Sequence, residues 1–398
     1  MKGLVAGVLL AGLSIACSFS SRVVEAKTDK RATGQAQTRM AVKATANPLH
    51  PAWRVIAPIS FNNLIVFPVV SDEPTSTAEF ITLDEGLRSG KVIVTELGAN
   101  GRSRRIRRNQ RISDDAEVNK LAVTNKSGKM LVLIAGELLV GGKQDRIVGN
   151  DCIVASTNKP VPINVFCVEH GRWSEEASFG QSRSVGSGEG VGAGSGGGAG
   201  PGIGGGIGAG GGAGRGVAPP VVALAMPNIR AKAQADKSQS EVWNEVAKAQ
   251  SENVVVTSTG DLTSVYRDRR VKDKIDSYER ALKNKLSAAN VVGVVVAVGD
   301  RIISTDVFAN HSLFQAYWPK MLKSYALEAL NSPATSKQEI SRSDAELFLS
   351  RVQGESATDD KPGVYKLAEN QSSKDASFEL QSTTRKSTLV HFNRVSKQ

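Results

Sequence analysis

The chain of 398 residues predicts an α+β fold: an antiparallel β-rich N-terminal half, then helices with a β-hairpin and a C-terminal β-meander, interrupted by a flexible glycine-rich insertion. Three observations predict it. Between Trp53 and Trp173, short β-branched runs such as "KVIVTELG", "KLAVTNKS" and "VPINVFCVE" alternate with turn residues. From 186 to 216 glycine dominates, interrupted only by single residues. Beyond that tract, apolar residues recur first at helical spacing and then at strand spacing.

In chain order, residues 1–26 read as a signal peptide: Lys2 precedes an apolar run from Leu4 to Ala16, too short for the ~20 residues of a membrane helix. Cleavage is expected near Ala26, after "VEA", giving an exported (periplasmic or secreted) chain. A lipoprotein anchored through Cys17 is the alternative, with Ser14 where a large aliphatic residue belongs. No later segment is apolar enough to span a bilayer. Residues 27–49 are polar and aperiodic, as expected of a disordered linker.

Residues 50–185 form the β-rich part. Pro68 marks an edge strand or a strand end, because proline cannot donate to a ladder. "NKSGK" (125–129) reads as a hairpin turn. "CIVAS" and "INVFCV", joined by "TNKP", read as a tight hairpin that brings Cys152 near Cys167, so a disulfide between them is possible in an exported protein. Residues 186–217 are the insertion. Without side chains nothing offsets the entropy of ordering, so flexibility is expected. The tract is too long for a phosphate-binding loop and lacks the collagen repeat.

Residues 218–395 form the α+β part. "NIRAKAQADKSQSEVWNEVAKAQS" predicts a helix with Trp243, Val246 and Ala247 on one face. A second helix places Ile275, Tyr278, Leu282 and Leu286 in a stripe. "VVGVVVAVGDRIISTDVF" predicts a buried hairpin turning at Gly299–Asp300. The next amphipathic stretch runs through Phe314, Trp318, Leu322, Tyr325 and Ala329, with Pro319 expected to break, kink or restart it. "SDAE" (343–346) predicts a capping box, and "GVYKLAEN", "ASFELQS" and "STLVHFNRV" a three-stranded meander.

The charge balance, 50 Lys+Arg against 39 Asp+Glu, favours anionic partners without specifying a fold. Signal removal takes away Lys2, Arg22 and Glu25 and changes it little. Four histidines lie scattered, with no zinc-ligand spacing and no nucleophile elbow, so no metal and no cofactor is expected. "RSRRIRRNQR" is a basic loop (102–111) in which Arg104, Arg105, Arg107 and Arg108 could hold an anionic envelope polymer by counterion release. Without an aromatic for base stacking, it is not expected to recognise nucleic acid sequence-specifically.

Two motifs concentrate chemistry. "GELLVGGKQDR" (136–146) and "CVEHGRW" (167–173) supply candidate ligand-binding groups in Gly141, Gly142, Lys143, Gln144, Arg146, Arg172 and Trp173. A glycine pair lets main-chain N–H groups approach an anion, a guanidinium grips phosphate bidentately, and an indole stacks on a base or sugar. Glu137, Glu169 and His170 are candidate catalytic groups of a hydrolase, if their environments push their pKa values apart. The competing reading is a structural seam, with Glu137 paired to Arg172, and Asp145 or Glu169 to Arg146, across adjacent strands.

These motifs, with "FITLDEGLRSGKVIVTELG", "SQSEVWNEV", "VVGVVVAVGDRIISTDVF", "MLKSYALEAL" and "STLVHF", occur in an order that resembles the ARG and rhodanese-phosphatase-superfamily-associated protein family over roughly 52–394. The resemblance implies a link to ADP-ribose or nucleotide-phosphate chemistry through the proteins for which the family is named. The glycine tract and the export signal depart from that pattern. The function expected is therefore an exported binding module for a small anionic, nucleotide- or sugar-phosphate-like ligand at the two motifs. A hydrolase and a structural envelope protein are the alternatives.

Overall fold

The structure, a computed structural model, describes residues 50–73, 76–97, 119–171, 223–332, 339–384 and 387–397. All of these belong to the compact unit Ala46–Gln398. Its strands before the insertion are β1 (Trp53–Val55), β2 (Ile59–Phe61), β3 (Leu64–Ser71), β4 (Phe80–Thr82), β5 (Val92–Glu96), β6 (Lys120–Asn125), β7 (Met130–Leu133), β8 (Leu138–Leu139), β9 (Arg146–Val148), β10 (Cys152–Val154) and β11 (Val161–Cys167). After it come β12 (Val291–Val298), β13 (Arg301–Phe308), β14 (Glu355–Lys361), β15 (Tyr365–Gln371), β16 (Asp375–Ser382) and β17 (Thr388–Ser396). The helices are α1 (Leu83–Arg88), α2 (Pro227–Gln234), α3 (Gln239–Glu252), α4 (Leu262–Arg267), α5 (Arg269–Leu282), α6 (His311–Asn331) and α7 (Arg342–Phe348).

The continuous apolar run of β12 is explained by burial on both faces. It lies in a nine-stranded antiparallel sheet, ordered β1-β3-β12-β13-β17-β16-β15-β14 with β2 also on β3. Val294 and Val296 point into the core shared with Phe314, Trp318, Met321 and Tyr325 of α6. Val295, between them, points to the other face with Phe67, Val69, Val307 and Phe348 of α7. The period of two along a strand thus feeds two cores at once. A third core, with Val94, Val123, Leu133, Val148 and Val165, lies between a five-stranded sheet (β5-β6-β11-β9-β8) and a three-stranded one (β10-β7-β4). In β7, Leu131 and Leu133 face that core while Val132 faces the α6 side.

The α+β class, the Gly299 hairpin and the C-terminal meander are all present. So are the stripes of the second helix and of α6. Several local expectations are corrected. The 125–129 turn, with Gly128 at φ +77°, does not close a hairpin. It passes the chain from one sheet to another, because the Asn125 side chain donates to the Lys129 and Val154 carbonyls at 2.8 and 2.9 Å. Nor do the two cysteine strands pair: β10 pairs with β7, and β11 with β6 and β9. Cys152 and Cys167 are accordingly free thiols, and burial with the nearby Asp151 pushes Cys152 up to about 12.

Pro68 lies inside the sheet, not at its edge. Its carbonyl accepts from the Ile56 N–H at 3.0 Å, so its nitrogen faces the changeover where β3 stops pairing with β2 at Val66 and begins with β1 at Val69, and little is lost by the absent N–H. Helix α6 continues through Pro319, because both of its halves bury apolar residues on the sheet and together outweigh the ~3 kcal/mol cost of an interior proline. The single helix expected over 228–251 is broken at Lys237, which takes φ +51°. That resets the buried face of α3 to Val242, Val246 and Ala249. The capping box uses Ser341 and Asp344, two residues before the predicted start.

Candidate functional site

The two motifs meet. Arg146 of β9 pairs with Cys167 of β11, and beyond this pair the Asp145 N–H donates to Glu169 Oε2 at 2.9 Å. Asp145 accepts from the Gly141 N–H at 3.0 Å and from Thr263 Oγ1 at 2.6 Å, which ties the turn to α4. Glu96, at the end of β5, accepts from the Lys143 N–H at 2.9 Å. Gly141 and Gly142 have φ +116° and +61°, backbone that a side chain would strain. Glu169 also bridges to Asp261, which caps α4 by accepting from the Ser264 N–H at 2.6 Å. Gln144, Asp145, Arg146 and Glu169 are buried; His170 is exposed and sets its ring edge-on to Trp243 at 4.6 Å. Arg172, Trp173 and the basic loop with Arg104, Arg105, Arg107 and Arg108 lie outside the described residues.

Glu137 belongs elsewhere. It forms an ion pair with Lys320 of α6 at 2.5 Å, and Lys320 also reaches Asp84 at 2.8 Å. The other carboxylate oxygen of Glu137 accepts from the Ile134 N–H at 2.9 Å. Burial pushes the Glu137 carboxyl up although Lys320 opposes it. Burial would likewise strip Lys320 of its charge, yet Glu137 and Asp84 hold its proton, so one ammonium is shared between two acids. Glu137 is thus tied to α6 through Lys320.

Beside this triad lies a second buried cluster, which sequence reasoning missed. Arg230 of α2 grips Asp306 of β13 with both terminal nitrogens, at 2.7 and 3.1 Å. Asp306 also accepts from Tyr325, from Ser304 at 3.2 Å and from Asn393 at 3.1 Å. His391 of β17 lies between two carboxylates, with Nδ1 2.6 Å from Asp151 and Nε2 3.2 Å from Asp306. Burial opposes the imidazolium, but Asp151 and then Asp306 lift its pKa to about 9. Burial also opposes the Asp306 carboxylate, yet Arg230 and His391 hold it well below the ordinary range.

The two clusters touch through a column of rings. His391 stacks on Phe308 at 4.4 Å, Phe308 on Tyr317 at 5.0 Å, and Lys320 Nζ caps Tyr317 at 4.6 Å. The loop after β7 serves both clusters, because the Ala135 N–H donates to Asp151 and the Ile134 N–H to Glu137. Gly136, between them, passes against the Arg230 stem, where a Cβ would lie 2.6 Å from Cγ. The signal for this cluster was faint: Asp306 and His391 are ionisable residues flanked by apolar neighbours, Val307–Phe308 and Val390 with Phe392, at buried strand positions.

Clefts of about 440, 460 and 250 Å³ lie away from both motifs, the first beside His50, Trp53 and Glu73 and the last beside Cys152 and Tyr365. Among the described residues no helix is long and apolar enough to cross a membrane. Fold and site together define an α+β domain whose motif carboxylates are engaged with main-chain N–H groups and buried cations. The chain belongs to the ARG and Rhodanese-Phosphatase-superfamily-associated Protein domain family, which it matches over residues 52–190 and 220–395. The stretch left between the two matches falls in the glycine-rich tract. No curated protein and no solved structure matches the chain.

Proposed function

We propose that the chain is an exported binding module for a small anionic ligand of nucleotide- or sugar-phosphate type, seated where the two motifs meet at the end of the five-stranded sheet. The observation that carries this reading is the direction of the carboxylates. Glu96, Asp145 and Glu169 turn inward to accept from the N–H groups of Lys143, Gly141 and Asp145. The turn they pin carries two left-handed glycines, Gly141 half-buried and Gly142 buried, and the exposed His170 directly follows Glu169 in the other motif. Main chain of that kind approaches an anion closely, and Arg172 and Trp173 follow directly in sequence. The hydrolase alternative would use Glu137, Glu169 and His170, and of these Glu137 is engaged by Lys320.

Thermal unfolding with ADP-ribose, nucleotides, sugar phosphates and plain phosphate, at low and high salt, tests the reading. One ligand at ~100 times its Kd should stabilise the chain by about 2.7 kcal/mol at both salt levels. Lys143→Ala should abolish that response, read against the variant's own unliganded midpoint. If no ligand in the panel raises the midpoint, the reading fails. A response confined to polyanions, lost at high salt and on neutralising Arg104, Arg105, Arg107 and Arg108, would establish the envelope-polymer alternative instead.

A further inference from the structure

We propose that Lys320 and Glu137 become joined by an intramolecular isopeptide bond, with Asp84 as the proton carrier. The geometry is that of reactants already assembled. Lys320 Nζ lies 2.5 Å from Glu137 Oε1 and 2.8 Å from Asp84 Oδ2. The Lys320 and Glu137 side chains are 2 % and 1 % exposed, while Asp84 is 16 % exposed and forms the outer wall. The Tyr317 ring closes another side of Nζ. The inference is independent of the ligand-binding reading, because Glu137 takes no part in that turn.

Three physical effects favour the reaction. Fixed juxtaposition replaces a bimolecular encounter, for which effective molarities reach about 10⁵ M or more. Burial away from water makes the separated charges costly, so the neutral amine and carboxylic acid become accessible when a proton passes from Nζ to Oε1. The Ile134 N–H, 2.9 Å from Glu137 Oε2, is placed to stabilise the negative charge that gathers on that oxygen as the carbon is attacked.

The step balances without a co-reactant. The Nζ lone pair forms a bond to Cδ of Glu137, and Asp84 accepts the proton released from Nζ. The Cδ–Oε1 bond then breaks. Oε1, already carrying one proton, takes the second from Asp84 and departs as water along the exposed Asp84 side. Oε2 remains as the amide oxygen. No atom is oxidised or reduced.

Peptide mapping of the purified full-length chain tests the proposal. Trypsin should leave segments 130–143 and 302–323 as one branched species, one water lighter than the pair, with no cleavage after Lys320. Asp84→Ala keeps both reacting groups and should release the two segments separately, while circular dichroism confirms that it folds. Separate segments from the wild type, with cleavage after Lys320, would overturn the proposal whatever any variant does. A branch containing Asp84 in place of Glu137 would overturn the assignment of the acyl group. A branch that persists in Asp84→Ala would overturn the role of Asp84.

Discussion

His391 should make the protein lose stability as the solution becomes alkaline, and the size of the loss follows from its two carboxylate neighbours. Its pKa rises in the fold from the ordinary 6.5 to about 9, against the opposing pull of burial, because Asp151 and Asp306 favour the imidazolium. A raised value means that the folded chain holds a proton the unfolded chain releases. The contribution is therefore fully present below pH 6.5 and disappears as the pH climbs through about 9. At about 1.4 kcal/mol per pH unit, that interval corresponds to about 3 kcal/mol. Asp306 keeps Arg230 throughout, so deprotonation should weaken the cluster without dismantling it. Urea unfolding at about pH 6 and about pH 10 measures the loss for the wild type and for His391→Gln. Other groups titrate in both proteins and cancel in the comparison. Two profiles that run parallel across the interval would refute the reasoning, since His391 would then carry no extra proton in the fold.

Glu328 should act in a lower window. Burial raises its carboxyl to about 7, although it accepts from the Asn228 N–H at the start of α2, where Met226 offers no side-chain cap. Its contribution is present below pH 4.5 and is lost through about 7, so Glu328→Gln should gain up to about 3 kcal/mol on the wild type at pH 8, read from urea midpoints. Gly136→Ala should cost about 2–4 kcal/mol, because a Cβ would overlap the buried Arg230 stem at a position with φ +88°. A thermal midpoint within a degree or two of the wild type would show that Arg230 can move aside.

Elements governed by apolar spacing were legible in the sequence, because the physics that forms them is local. The stripe of Ile275, Tyr278, Leu282 and Leu286 and the Gly299 turn needed nothing beyond their own segment. β14 was not legible: its seven residues, "ESATDDK", are all exposed and gain their strand only from β15. The strand partners of Cys152 and Cys167 were also hidden, since a short loop favours a hairpin and only distant strands compete with it. For the site, the motifs announced where charge concentrates. The assignment of Glu137 depended on Lys320, which lies across the insertion in the middle of a helix that reads as amphipathic. Nothing in the sequence singled out Arg230, because its partner Asp306 stands on a strand with no sequence link to it.

The nine-stranded sheet has a consequence for the integrity of the chain. Val66 pairs with Val296 and Val69 with Gly293, so β3, made before the glycine-rich tract, is zipped directly to β12, made after it, in one continuous sheet. A protease that cut the backbone between 190 and 220 would yield two polypeptides but not two bodies. Each would carry part of the same ladder, and they would travel together until denatured. Conversely, neither fragment alone could complete the central sheet, so both must be present before the fold can lock.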